Sequence, residues 1–241
     1  MFGWRARIGF ISPNLGGLPG TLMEMEHLAP EGVAFLTRFV NGPASLATPD
    51  LLALAADVEP LARSLTRKAD LDVMLMAGAP VVLANGPDRV AQILRDATGL
   101  PSTTNVQGMT DGLRRLGVGR VNVVTPYYPD NVNDFLRAHL VACGFEVVSI
   151  TTGGEGAVEK RKEAAQEGAY RLAKQAFLAN PGAEGLLMVG GGAPIYEVIE
   201  AIETDIGKPV VAANYAGLWS ALTVANVRQP IRGYGKLLTC F

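Results

Sequence analysis

Short apolar runs of strand length alternate along the chain with longer stretches of helical period, the pattern of stacked β-α units around a parallel sheet. The spacing predicts strands over residues 7–12, 33–39, 73–76, 121–125, 146–151, 185–189 and 209–213. Between them, residues 50–68 place leucines and alanines three and four positions apart, and residues 155–179 repeat that pattern behind an acidic first turn. Residues 87–98 and 193–206 read as helices of the same kind. The predicted fold class is α/β, with parallel sheets flanked by helices.

The pattern also repeats itself. Leu75-Met76-Ala77-Gly78-Ala79-Pro80 ends one strand and opens a helix, and far down the chain Met188-Val189-Gly190-Gly191-Gly192-Ala193-Pro194 does the same. The exits of the two helices match as well: Thr98-Gly99-Leu100-Pro101 leads into 102–105, and Ile206-Gly207-Lys208-Pro209 leads into 210–214. A Gly followed by Pro stops a helix and launches the next strand. The chain therefore reads as two related lobes, residues 1–108 with 216–241 and residues 109–215. Ligands of parallel sheets bind beyond the carboxyl ends of the strands, so both glycine turns belong at the ligand-facing edge of their lobes. Gly-Ala-Pro alone can simply pack a strand-to-helix turn. Two matching copies favour a shared site between them.

Composition narrows the ligand. The 241 residues, 49% hydrophobic and 18% charged, are enough for a substantial core. Twenty-one basic and 23 acidic residues give a formal charge of −2, so no long-range field favours nucleic acid or an anionic membrane, and a small molecule is the expected ligand. No run of 18 apolar residues exists, and the apolar stretch after Arg7 is broken by Pro13, Gly16 and Gly17, too early for a signal-peptide core. A cytoplasmic protein is expected, with self-association left open. Two cysteines, Cys143 and Cys240, make neither a disulfide framework nor a zinc site.

Glycines at a strand end let backbone N–H groups approach an anion, and the following helix adds its positive N-terminal end. A carboxylate is the natural ligand of such a turn. Gly190-Gly191-Gly192 lacks the GxGxxG spacing of a dinucleotide loop and the GxxxxGK[ST] of a phosphate loop. A further candidate is Thr125-Pro126-Tyr127-Tyr128-Pro129-Asp130-Asn131-Val132-Asn133, which crowds phenols and amides into a turn that starts a helix. Proline turns and a helix cap account for the prolines and Asp130 but not for paired tyrosines. Ser12-Pro13-Asn14 closes the first strand in another loop of turn residues. His139 reads as a surface residue of a helix, while Glu24 and His27, in a segment after the first strand that resembles a loop of a known enzyme family, remain site candidates.

These pieces together resemble a known family. Residues 97–104 (Ala-Thr-Gly-Leu-Pro-Ser-Thr-Thr), 112–118 (Gly-Leu-Arg-Arg-Leu-Gly-Val), Thr125-Pro126-Tyr127, Gly207-Lys208-Pro209-Val210-Val211, Ala216-Gly217-Leu218-Trp219 and Gly233-Tyr234-Gly235-Lys236-Leu237 occur in an order and spacing similar to the aspartate/glutamate racemase superfamily, in its arylmalonate decarboxylase and maleate isomerase branch. The resemblance implies two pseudo-symmetric flavodoxin-like lobes with the site between them and no metal or organic cofactor. It also implies a carboxylate held by backbone amides, hydroxyls and a tyrosine, and an enediolate-like or covalent intermediate. Carried over by position, Pro13, Asn14, Gly78, Ala79, Pro80, Asn133, Gly190, Gly191 and Gly192 are expected to bind substrate. Tyr127, or Tyr128 one place on, is expected to act in catalysis.

The departure from the family is as informative. Its isomerases and racemases place a cysteine in each lobe, at the strand ends occupied here by Gly78 and Gly190, and its decarboxylases keep only the second. A thiol suits proton transfer and attack on a double bond because thiolate forms near neutral pH and is strongly nucleophilic. Glycine does neither. The expected function is a cofactor-independent, decarboxylase-like lyase acting on a small carboxylate or dicarboxylate without a catalytic cysteine. The alternatives are a maleate isomerase-like cis-trans isomerase or a non-catalytic carboxylate-binding protein.

Overall fold

The computed structural model describes residues 3–14, 20–43, 45–125, 127–153, 166–190 and 195–241. Eight parallel strands form two four-stranded sheets. The first holds β1 (Ala6–Asn14), β2 (Val33–Asn41), β3 (Val73–Met76) and β4 (Ser102–Thr104) in the order β2-β1-β3-β4. The second holds β5 (Arg120–Thr125), β6 (Glu146–Thr152), β7 (Gly185–Met188) and β8 (Val210–Ala212) in the order β6-β5-β7-β8. Each sheet thus repeats one winding, two strands outward on one side of the first-formed strand and one on the other. The inner strands β3 and β7 are buried along their whole length, which is why Val-Met-Leu-Met and Gly-Leu-Leu-Met carry no polar alternation.

The helices are α1 (Gly20–Leu28), α2 (Thr48–Ala53), α3 (Val58–Thr66), α4 (Ala79–Asn85), α5 (Pro87–Thr98), α6 (Asn105–Arg115), α7 (Asp130–Ala142), α8 (Gln166–Ala179), α9 (Ile199–Ile206) and α10 (Ala213–Val224). The two predicted Gly-x-Pro exits are present. Gly99 and Gly207 end α5 and α9 at φ 72° and 66°, the left-handed conformation that closes a helix, and each is followed by a short strand. The helix expected over 50–68 is instead α2, a 3-10 turn Leu54–Asp57 and α3. Pro60 has no N–H to offer the carbonyl of Ala56 and its ring crowds that carbonyl, so the helix restarts just ahead of it. Of the helices expected over 155–179 and 193–206 only 166–179 and 195–206 fall among the described residues, the latter as a 3-10 turn, Ile195–Val198, followed by α9.

The lobes meet along α6 and α10, whose packing explains a second repeat in the chain, Asn105-Val106-Gln107-Gly108 and Asn214-Tyr215-Ala216-Gly217. A Cβ on Gly108 would overlap the Ala216 carbonyl, and one on Gly217 would press on the backbone of Asn105. Bare backbone at both glycines therefore lets the first turns of the two helices touch. The same approach fixes an asparagine from each lobe at the crossing. No helix among the described residues is long and apolar enough to cross a membrane.

Candidate active site

A cavity of about 540 Å³, counted with its open mouth, lies at the carboxyl ends of the strands between the lobes. The first lobe contributes Ser12 and Pro13 from the end of β1, Thr21 from α1, Leu46, Gly78 to Val81 after β3, and Asn105 after β4. The second contributes Tyr127 and Tyr128 after β5 and Ala213 and Asn214 after β8. Both α6 and α10 thus begin at the cavity wall. Their N-terminal ends carry backbone N–H groups without helical partners and a partial positive charge, which favours an anion. Among the described residues the lining holds no Asp, Glu, Lys, Arg or His.

Local chemistry explains the walls. Gly78 sits at φ 98°, left-handed, as the residue before α4, and Pro80 occupies that helix's first turn. A Cβ at Gly78 would run into the ring of Pro13. The strand-to-helix turn is therefore closed tightly over the end of β1, and only glycine fits. Tyr127 and Tyr128 are both buried and stack edge to face, centroids 5.1 Å apart at 88°. Their turn is braced from behind: Asn133 Nδ2 donates to the Tyr128 carbonyl at 3.1 Å, and Thr125 Oγ1 donates to Asn133 Oδ1 at 2.8 Å. Asn131 Nδ2 crosses to the other lobe and donates to the Leu46 carbonyl at 2.8 Å and to Thr48 Oγ1 at 3.2 Å. These two bonds tie the start of α7 to the Leu46 wall.

The two asparagines differ in their surroundings. Asn105 starts α6, where Thr104 and Gln107 form a reciprocal capping box, and its own Oδ1 is buried without a hydrogen-bond partner. Asn214 Nδ2 donates to the buried Glu24 Oε2 at 2.9 Å and reaches Thr21 Oγ1 at 3.5 Å. Burial pushes the Glu24 carboxyl up to about 8, against the opposing pull of the Asn214 bond.

Of the residues expected from the sequence, Pro13, Gly78, Ala79, Pro80, Tyr127 and Tyr128 meet at this cavity. Asn14 is exposed at the end of β1 and does not line it, and Asn133 lies behind the tyrosines as their brace. Gly190 is buried beyond β7 and is not among the lining residues, while Gly191 and Gly192 lie outside the described residues. Sequence reasoning missed Ser12, Thr21, Leu46, Val81, Asn105, Ala213 and Asn214 as lining residues. The repeated Asn-x-x-Gly was the available signal for the two asparagines.

Two parallel lobes wound alike, with a cleft between their carboxyl ends, define an α/β protein of the aspartate/glutamate racemase superfamily. The family model described as "Amdase: Arylmalonate decarboxylase" matches residues 13–238, and the chain belongs to that family. It is 36% identical over 145 residues to an arylmalonate decarboxylase of Bordetella bronchiseptica, a match covering 60% of each chain. The solved structure of an unliganded arylmalonate decarboxylase superposes with a TM-score of 0.84 at 29% identity, over 97% of this chain and 98% of that one. A Nocardia farcinica maleate cis-trans isomerase superposes at 0.86 with 23% identity, over 97% and 98%, and shares the fold.

Proposed function

We propose that the protein is a cofactor-independent lyase that decarboxylates a small malonate-type dicarboxylate carrying an apolar, aryl-sized substituent. The observation that carries this reading is the make-up of the cavity. Pro13, Leu46, Ala79, Pro80, Val81 and Ala213 supply apolar wall, while Ser12, Thr21, Asn105, Asn214 and the two phenols supply neutral polar groups. Neutral donors and helix ends can hold one carboxylate, and the apolar wall suits the substituent and the carboxyl that leaves. The match to arylmalonate decarboxylases supports the same substrate class.

The chemistry balances without an external electron carrier. The bond between the central carbon and one carboxylate breaks and releases carbon dioxide. Its electron pair spreads into the retained carboxyl as an enediolate, and a proton added at the central carbon gives the monoacid. What the protein must supply is stabilisation of the negative charge on the retained carboxyl, together with a proton. Preorganised donors in a water-poor site provide the first. Tyr127 and Tyr128, which follow β5, are the phenols lining the cavity and are assigned the second. Cys143 caps the C-terminal end of α7 and Cys240 sits beside the C-terminus, both away from the lining residues, which supports a cysteine-independent route.

The test is turnover of phenylmalonate, followed by carbon dioxide release, with maleate as the isomerase control. Tyr127→Phe removes one hydroxyl and keeps the ring, and loss of one such donor costs on the order of a hundredfold in kcat. Tyr128→Phe resolves which phenol acts. Wild-type rates for both variants would show the tyrosine turn to be packing only.

A further inference from the structure

Glu24 is a buried carboxyl one hydrogen bond behind the cavity, and the proposed chemistry has not used it. Its Oε2 accepts from Asn214 Nδ2, which lines the cavity, and its Oε1 has no hydrogen-bond partner. Buried polar atoms are almost always paired, so an orphan oxygen calls for a function. Asn105 Oδ1, in the same cavity, is another such orphan.

Among the described residues, no cation bonds Glu24 to compensate a carboxylate. On its own helix, Glu26 and His27 are exposed. Across from it, Tyr196 in the turn before α9 and Tyr234 in the C-terminal segment gather around His27, with ring centroids 5.5 and 6.0 Å from the imidazole, and His27 Nε2 lies 3.1 Å from Tyr234 Oη. Glu197, beside Tyr196, is a further negative group there. From α10 the buried Tyr215 bonds the Val210 carbonyl instead. Of all these contacts, the one polar group bonding the carboxyl is the neutral Asn214 amide.

We propose that Glu24 is a positioning residue that works in its acid form: it orients the Asn214 amide at the cavity wall while adding no negative charge, so the cleft can take an anion. The inference rests on the carboxylate reading of the cleft. Ionisation would set a negative charge one residue behind the anion. At an effective dielectric of about 20, like charges roughly 6 Å apart repel enough to weaken binding about a hundredfold. The acid form is present below about pH 8, in line with the raised carboxyl, and is lost as pH rises through that value.

The experiment measures phenylacetate, a non-reacting monoanion, by titration calorimetry from pH 6 to 9.5. Wild-type affinity should hold to about pH 7 and fall roughly 25-fold by pH 9.5, on the way to the hundredfold limit of the fully ionised form. Glu24→Gln retains the shape and the acceptor for Asn214 but cannot ionise. Its affinity should stay within about threefold of the wild-type value at pH 6 across the whole range. A flat wild-type profile overturns the inference whether or not the variant folds, and so does a Glu24→Gln profile that falls like wild type. Absence of phenylacetate binding at every pH overturns the carboxylate reading and the inference with it. Binding with a flat profile overturns the inference alone.

Discussion

The two lobes share a frame and differ in what they hang on it. β1 closes through Ser12 and Pro13 where β5 closes at Thr125, and Asn105 is the first residue of α6 where Asn214 is the second of α10. On the first lobe the frame is nearly bare: a proline ring packed on a glycine turn, and an asparagine whose oxygen has no partner. On the second lobe the equivalent places carry two phenols and an amide tied to a buried acid from the other lobe. The duplicated parts set geometry by bringing strand ends and helix starts to one cavity. The unduplicated parts carry the candidate proton chemistry. A cleft of this kind can change its reaction by altering one lobe without disturbing the fold.

The largest effect expected from breaking this contrast comes at Gly78. Introducing the thiol that the racemases carry, as Gly78→Cys, should not convert the protein into a two-base enzyme. The left-handed backbone costs roughly 1–2 kcal/mol for a residue with a Cβ, and overpacking against Pro13 adds about 1–3 kcal/mol. Chemical denaturation should therefore show a loss of about 2–5 kcal/mol and no gain of racemase activity. A variant as stable as wild type would show that the turn relaxes easily and that glycine there is not enforced by packing.

A smaller effect separates the two asparagines. Asn214→Ala removes the donor to Glu24 and leaves a second oxygen of that carboxyl unpaired in the core, a cost of about 1–3 kcal/mol. Asn105→Ala instead removes an acceptor that has no partner, so the loss should stay below about 1 kcal/mol. Thermal unfolding of the pair at pH 6.5 checks the order. Equal losses would mean that the lobes are more alike at this crossing than their hydrogen bonds indicate.

How far this contrast could be read from the chain depends on the range of the forces behind each feature. The glycine turn at Gly78 and the exits at Gly99 and Gly207 are local stereochemistry, visible wherever strand-length apolar runs meet Gly and Pro. The tyrosine turn was visible for the same reason. The helix α10 was not, because it is buried all round and so lacks the polar face that gives a helix its period. The break in 50–68 was signalled by Pro60, but leucine spacing on both sides of it outweighed the proline. The Glu24–Asn214 pair spans 190 residues and depends on α1 packing against α10, a contact that no local pattern encodes. Glu24 was a site candidate on resemblance of its loop. Its burial and its partner required the fold.

The smallest effect is expected at the thiols, and it tests whether the bare lobe has been replaced by a sulfur group elsewhere. Cys143 is half-buried at the end of α7, where its Sγ lies 3.6 Å from His139 Nε2, a residue whose imidazole is lowered mainly by burial. Its carbonyl accepts from Arg114 at 3.1 Å, a bond that survives replacement of the side chain. Cys240 is equally half-buried, and its carbonyl, not its sulfur, accepts from Trp219 Nε1 at 2.9 Å. In both residues the backbone makes the stronger contacts, so Cys143→Ala and Cys240→Ala remove little beyond a small apolar volume. Each should cost less than about 0.5 kcal/mol and leave kcat within about twofold, because neither sulfur lies at the cavity. Phenylmalonate turnover by the double variant is the measurement. A folded double variant that loses activity would move the proton chemistry from the tyrosine turn to a thiol and would end the cysteine-independent reading.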